Sequence, residues 1–164
     1  SRDNRMRFGR EVAQAVRAAV PKSIALGARI TGSDWRDDGL TADDAVVYAK
    51  ALKACGLDYI DVSSGGVTAD TRNPTTPGYN VAIAERIKRE VGIATRVVGL
   101  IVTPALAEQV VAEGKADMVA MARAILDDPR WGWHAARELG VDIPRAPQYQ
   151  RVGPKLWPGA ALRA

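Results

Sequence analysis

Four short segments of the chain carry residue types that suit the binding of a phosphate-bearing ligand. Arg29, Gly99 and Arg123 each lie at the end of an apolar run, and the turn Ser63-Ser64-Gly65-Gly66 follows a fourth run. A glycine lets the backbone approach a ligand closely, and free backbone N–H groups donate to phosphate oxygens. An arginine adds a charged donor that can bind in bidentate fashion. The spacing therefore predicts a phosphate site assembled from several strand ends.

The elements that must position these residues alternate regularly along the chain. An apolar helical period over residues 4–19 is followed by four strand–loop–helix units, with strands that begin near residues 24, 58, 93 and 116. Helices are predicted at residues 42–55, 80–91, 104–113 and 130–139. This order predicts an α/β fold with a parallel sheet and right-handed crossovers, and the apolar strands favour burial on both faces.

Two architectures fit that order, a doubly wound open sheet and half of a (βα)8 TIM barrel. Four strands make a thin open sheet, and a complete barrel needs about 200 residues or more. We therefore predict that residues 1–140 form half of a TIM barrel, with its site at the C-terminal strand ends. The Pro- and Gly-rich residues 141–164 predict a separate extended arm.

Composition excludes several other classes of protein. Only 5% of the 164 residues are aromatic and the basic residues are scattered, which argues against nucleic-acid binding. The sequence has no unbroken apolar stretch of membrane-helix length. With one cysteine and one histidine, we predict no metal site. The lone cysteine also fits a reducing compartment and predicts a cytoplasmic protein, while the net charge of +4 suits a phosphate-bearing ligand.

The ordered set of motifs resembles the old yellow enzyme family, and most closely its bacterial, thermophilic-like branch. The resemblance covers almost the whole chain and corresponds to strands five to eight of the barrel with the C-terminal arm. The segments that carry it are Asp3–Phe8 with Glu11-Val12, Arg29–Thr31 with Asp34-Trp35, Gly56–Gly66, Pro77–Tyr79, Val98–Ile101, Ala116–Val119, Ala122-Arg123 and Asp128-Pro129.

This resemblance implies an ene-reductase that holds FMN, accepts hydride from NADPH or NADH and passes hydride to the β-carbon of an activated alkene. Arg29 would lie against the N1/O2 side of the isoalloxazine, where a cation stabilises the reduced flavin. Ala122 and Arg123 would hold the phosphate. The family usually has glycine where this chain has Ala122, and we expect the methyl group to be tolerated if φ is negative there.

The remaining expected cofactor contacts come from Ser64, Gly65 and Gly99. The tail Gln148–Arg151 also resembles the family, in which an arginine of the C-terminal arm reaches the active site of a neighbouring subunit. By that resemblance Arg151 would line the substrate pocket of a partner, and the protein would be a homo-oligomer.

The resemblance places the family's catalytic and carbonyl-binding residues outside this chain. A His pair or a His/Asn pair on an earlier strand binds the substrate carbonyl in the family, and those positions would precede Ser1. His134 lies in the last predicted helix and is no substitute. We therefore assign no catalytic residue to this chain, and we expect it to need the first half of the barrel as a partner.

Two other functions stay open at this point. The chain could be a non-catalytic half-barrel that assembles with itself or with a separately encoded first half, because an open half-barrel exposes two strand edges. It could also belong to a phosphate-binding βα enzyme without flavin, such as an isomerase or aldolase. That alternative expects a catalytic lysine or glutamate at a strand end, and none stands out. Taken without the resemblance, an isolated arginine at a strand end such as Arg29 is more often part of a structural ion pair than of a ligand site.

Overall fold

A computed structural model gives the fold of residues 1–153 and 155–162. It contains six helices and four strands in the described part of the chain, followed by two 3-10 helices. In order they are α1 (Arg2–Ala19), β1 (Gly27–Thr31), α2 (Ala42–Ala54), β2 (Tyr59–Ser63), α3 (Val81–Val91), β3 (Ala94–Val97), α4 (Pro104–Ala112), β4 (Met118–Val119), α5 (Arg123–Asp127), α6 (Trp131–Glu138) and the 3-10 helices Pro147–Val152 and Pro158–Leu162.

The four strands form one parallel sheet in the order β1-β2-β3-β4. The predicted parallel α/β arrangement is thereby confirmed. Each new strand adds beside the one before it, and the order never reverses as it would in a doubly wound sheet. This steady progression, with a helix after each strand, is the pattern of a TIM barrel that is half complete.

The two faces of the sheet differ in chemistry. The face under the helices is apolar, and its centre is formed by the fully buried Ile60, Val62 and Val97. The opposite face carries Arg29 on β1, Asp61 on β2 and Arg96 on β3, which are partners in the register of the three strands. The expected burial on both faces holds for β2, where Asp61 is 1% exposed, but not for Arg29 of β1, whose side chain is 58% exposed.

Helix ends follow local rules that are visible in the sequence. Thr41 caps α2 with a capping box, in which Asp44 accepts from the Thr41 backbone N–H at 3.1 Å. Gly92 ends α3 with a left-handed φ of 64°. Strand β1 begins later than predicted, because residues before it turn back through an Ile24 N–H bond to the Pro21 carbonyl. None of the described helices is long and apolar enough to cross a membrane.

The end of the chain differs most from the prediction. Strand β4 has only two residues, and the short helix α5 follows it where a loop was predicted. The described residues after position 140 contain two 3-10 helices, Pro147–Val152 and Pro158–Leu162. Positions 154, 163 and 164 of the predicted arm lie outside the described residues.

Candidate functional site

A cavity of about 270 Å³ opens at the carboxyl ends of the strands. Five of the six cofactor positions predicted in this chain line it, namely Arg29, Ser64, Gly99, Ala122 and Arg123. The same cavity is lined by residues that sequence reasoning did not assign, among them Asn73, Tyr79, Asn80, Leu100 and Val102. The fold thus brings together side chains that are separated by almost 100 residues in the sequence.

The turn after β3 presents backbone donors to this cavity. Gly99 has φ 149° and Leu100 has φ 52°, so two successive residues occupy unusual backbone conformations. A Cβ at Gly99 would lie 3.2 Å from both Tyr79 and Asn80, which explains why glycine is required. The Gly99 and Leu100 N–H groups donate to no other described backbone group. They are therefore available to an anionic ligand.

Two hydrogen bonds to backbone carbonyls fix the conformation of this turn. The Gly78 N–H donates to the Gly99 carbonyl at 2.8 Å, and the Asn80 Nδ2 donates to the Val98 carbonyl at 2.7 Å. Asn80 is 1% exposed, and its Oδ1 has no hydrogen-bond partner among the described residues. The role of Asn80 is not visible in the sequence, because it depends on a carbonyl 18 residues away.

The second wall of the cavity comes from the turn after β4. Ala122 has φ −115°, so its methyl group brings no left-handed strain where the family usually has glycine. The side chain of Arg123 makes no hydrogen bond or ion pair within the described chain. Its guanidinium is consequently free to bind a phosphate group.

Arg29 belongs to an ion-pair row across the concave face of the sheet. Its Nη1 lies 3.6 Å from Asp61 Oδ2, and the same oxygen accepts a 2.9 Å hydrogen bond from Arg96 Nη2. That hydrogen bond raises the pKa of Arg96 above its ordinary value. Asp61 is 1% exposed, whereas the Arg29 side chain is 58% exposed. A buried carboxylate therefore anchors a cation whose outer part stays accessible from the cavity.

Ser64 and Gly65 differ in their position relative to the cavity. Ser64 lines it and accepts a 2.8 Å hydrogen bond from Trp35 Nε1. Gly65 does not line it, and its N–H donates to the Ser33 carbonyl at 2.9 Å. A Cβ at Gly65, where φ is 65°, would collide with the Asn73 side chain. Gly65 thus shapes the loop instead of donating its N–H to a ligand.

Arg151 and His134 lie in a different cleft, beside α6. Nδ1 of His134 is 2.6 Å from Asp128 Oδ2, and neither residue lines the cavity at the strand ends. Within residues 1–153 and 155–162, no cluster of three or more His, Cys, Asp or Glu side chains is arranged to hold a metal ion.

Comparison with known proteins identifies the group to which this geometry belongs. The family model of the NADH:flavin oxidoreductase / NADH oxidase family matches residues 1–141. A protein named NADPH dehydrogenase from Geobacillus sp. (strain WCH70) is 44% identical over 151 residues, which are 92% of this chain and 44% of that protein. The NADPH dehydrogenase of Geobacillus thermodenitrificans (strain NG80-2) is 45% identical over 151 residues, which are 92% of this chain and 44% of that protein. The chain thus spans less than half the length of these relatives.

A solved structure supports the fold independently. A 2-naphthoyl-CoA reductase, solved with 2-naphthoyl-CoA, superimposes with a TM-score of 0.74 at 23% identity. The superposition covers 85% of this chain and 22% of that reductase. With the parallel half-barrel and the family match over residues 1–141, the chain belongs to the NADH:flavin oxidoreductase / NADH oxidase family, which is the old yellow enzyme family of FMN- and NAD(P)H-dependent proteins.

Proposed function

We propose that this chain forms the FMN-binding part of an NAD(P)H-dependent oxidoreductase that reduces activated alkenes. The observation that carries the proposal is the cavity at the strand ends. It brings the exposed guanidinium of Arg123 and the free N–H groups of Gly99 and Leu100 together with Arg29. Donors of this kind suit a phosphate at one end of a ligand, and a cation suits developing negative charge at the other end.

The residues present fit FMN on structural grounds. Gly99 leaves space that a Cβ would fill, and its conformation is one that other residues rarely adopt. Arg123 has no protein partner in the described chain to compete with a phosphate. When bound, FMN supplies hydride transfer between a nicotinamide and a substrate carbon, and this chemistry belongs to the cofactor.

The chain's own part in that chemistry is binding and electrostatic tuning. Arg123 and the Gly99-Leu100 turn bind the phosphate, while Arg29 stabilises negative charge on the isoalloxazine. Asp61 positions Arg29, because it is buried and lies 3.6 Å from the Arg29 Nη1. Ser64 borders the cavity and Gly65 sets the path of the loop.

The groups that bind the substrate carbonyl and donate a proton are proposed to lie on the earlier strands of a longer protein. No described residue of this chain is assigned to either role. By resemblance, Arg151 on the arm of residues 141–164 would enter the substrate pocket of a neighbouring subunit in a cytoplasmic homo-oligomer. In the present structure Arg151 is exposed beside α6, which leaves it accessible to such a partner.

The phosphate assignment is tested by comparing FMN with riboflavin, which lacks the phosphate. Arg123→Ala should weaken FMN binding by about 10- to 100-fold, since a hydrogen bond to a charged group is worth roughly 1.5–3 kcal/mol. The affinity for riboflavin should stay within about twofold, since the lost contact involves only the phosphate. Dissociation constants from quenching of flavin fluorescence measure both effects.

Two variants control this experiment. Arg89→Ala removes an arginine from the exposed side of α3 and should change neither affinity. Arg29→Ala should weaken FMN and riboflavin alike, because Arg29 is proposed to face the isoalloxazine. An FMN dissociation constant unchanged by Arg123→Ala, or an equal loss for riboflavin, would remove Arg123 from the phosphate site.

A further inference from the structure

A second cavity lies beside α6, and we name it the α6 cleft. It has a volume of about 210 Å³ and lies between α6 and four described residues near the end of the chain. Its lining consists of Arg130, Trp133, His134, Arg137, Arg145, Arg151, Val152 and Trp157. None of these residues lines the cavity at the strand ends.

The α6 cleft is strongly cationic. Among residues 1–153 and 155–162, four arginines line it and no carboxylate does. The nearby acidic side chains are already used, since Asp128 contacts His134 at 2.6 Å and Asp142 binds Arg145 at 2.8 Å. Among the described residues, Arg130, Arg137 and Arg151 have no ion pair. Three of the four arginines therefore lie in one cleft without a described carboxylate partner, while Asp142 neutralises the fourth, Arg145.

The arrangement is also partly rigid. The guanidinium groups of Arg130 and Arg145 lie 5.7 and 5.9 Å from the ring centroid of Trp133. The edge-on ring of Tyr149 packs against the same tryptophan at 5.6 Å. The side chain of Arg145 is 12% exposed, and its Nε is buried without an acceptor in the described chain. Donors fixed by packing lose little freedom when they bind a ligand.

We infer that the α6 cleft binds a phosphate-type oxyanion at a site separate from the proposed FMN phosphate site. Guanidinium groups match the geometry of phosphate oxygens, and the described ion pairs leave Arg130 and Arg137 without a protein carboxylate. The site rests on Arg130, Arg137 and Arg145, so it persists if Arg151 moves into a neighbouring subunit. The anion can be a free inorganic phosphate or the phosphate of a nucleotide.

The test uses the whole protein saturated with FMN, so that the cavity at the strand ends is filled. Titration with inorganic pyrophosphate in a calorimeter should show one saturable site per chain. The double variant Arg130→Gln/Arg137→Gln should weaken pyrophosphate by about tenfold or more, because it removes two charged donors. The matched control Arg7→Gln/Arg10→Gln removes the same charge from exposed positions of α1 and should leave the affinity unchanged. Both variants should keep the FMN affinity of the wild type.

A titration with ADP identifies the source of the phosphate. Tighter binding of ADP than of pyrophosphate assigns the cleft to a nucleotide, and equal affinities assign it to the phosphate group alone. The inference is overturned if pyrophosphate shows no saturable binding, or if the two double variants weaken it equally. It is also overturned if Arg130→Gln/Arg137→Gln leaves pyrophosphate binding intact but changes the oligomeric state, since the cluster would then be a protein interface.

Discussion

At the scale of single residues, Asn80 holds the backbone that borders the cavity. Its Nδ2 donates to the Val98 carbonyl at 2.7 Å, next to a glycine in an unusual conformation. Backbone strain of this kind persists only where neighbouring groups fix it. We therefore expect the shape of the Gly99-Leu100 turn, and with it FMN affinity, to depend on the Asn80 amide.

The variant Asn80→Asp tests this dependence with almost no change of volume. It replaces the donor by a carboxylate that faces a carbonyl oxygen, so stability should fall by about 1–3 kcal/mol. FMN affinity should fall by about tenfold as the turn loses its support. Chemical denaturation and flavin fluorescence give the two values.

Asn73→Asp is the matched control, because it adds the same charge to the lining of the same cavity. The Asn73 side chain supports no carbonyl of the Gly99-Leu100 turn. If the two variants weaken FMN equally, the effect is one of charge and Asn80 has no positioning role.

The residue types and their positions at strand ends explain which site residues could be predicted from the sequence. Arg29, Gly99 and Arg123 lie at strand ends and have side chains, or a missing Cβ, that suit a phosphate ligand. Asp61 and Asn80 were missed because their roles come from partners on other elements. Asp61 meets Arg96 only through the register that pairs β2 with β3.

At the scale of elements, α2 is stabilised by a pH-sensitive capping box. Thr41 donates its backbone N–H and its hydroxyl to Asp44, and these bonds hold the pKa of Asp44 below its ordinary value of 3.8. A depressed carboxyl pKa contributes stability that is fully present above the unfolded pKa and is lost as the pH falls below it. The contribution of this box should therefore begin to fall below about pH 4 and be lost as the pH falls through the lower pKa of Asp44 in the folded state.

Thr41→Ala should cost about 1 kcal/mol of unfolding free energy at pH 7. The cost should be smaller at pH 3, because this pH lies below the ordinary pKa of 3.8 and protonation of Asp44 in the unfolded state opposes the capping box. Urea unfolding at the two pH values measures the difference.

Thr103→Ala provides the comparison, since Thr103 caps α4 by accepting from the Leu106 N–H at 3.3 Å. The first turn of α4 has no acidic residue, so its loss should be the same at both pH values. A Thr41→Ala cost that does not vary with pH would contradict the role given to Asp44.

Element positions were predictable where periodicity and caps agree, as in α2 and α3. They were less so where packing decides the boundary. Strand β1 starts at Gly27 because Arg17 binds the carbonyls of Val20 and Pro21 and holds the preceding residues in a turn. Helix α5 has five residues and was missed, since a single turn leaves too short a pattern to recognise.

At the scale of the whole molecule, strand count and order in the sequence were enough to indicate a half-barrel. The exposed surfaces were not predictable in the same way. The apolar period of α1 suggested a buried face, yet Phe8 is 77% exposed and Val12 is 44% exposed. Strands β1 and β4 also lie at the two edges of the sheet. Each of these surfaces is one that a complete barrel covers with its other half.

We expect this 164-residue chain, when produced by itself, to associate through these surfaces. Unpaired strand edges favour pairing with another chain, and burial of apolar surface contributes about 25 cal/mol per Å². Light scattering after size exclusion should give a mass above the 17.5 kDa of one chain. Phe8→Glu/Val12→Glu should lower that mass, because it places two charges on the exposed apolar face of α1.

The control variant Val67→Glu/Val111→Glu adds the same charges at exposed positions away from α1 and should not lower the mass. A monomer at micromolar concentration, or an equal response to both variants, would mean that α1 and the sheet edges do not drive association. A monomer would further mean that the half-barrel is stable without a second chain to cover these surfaces.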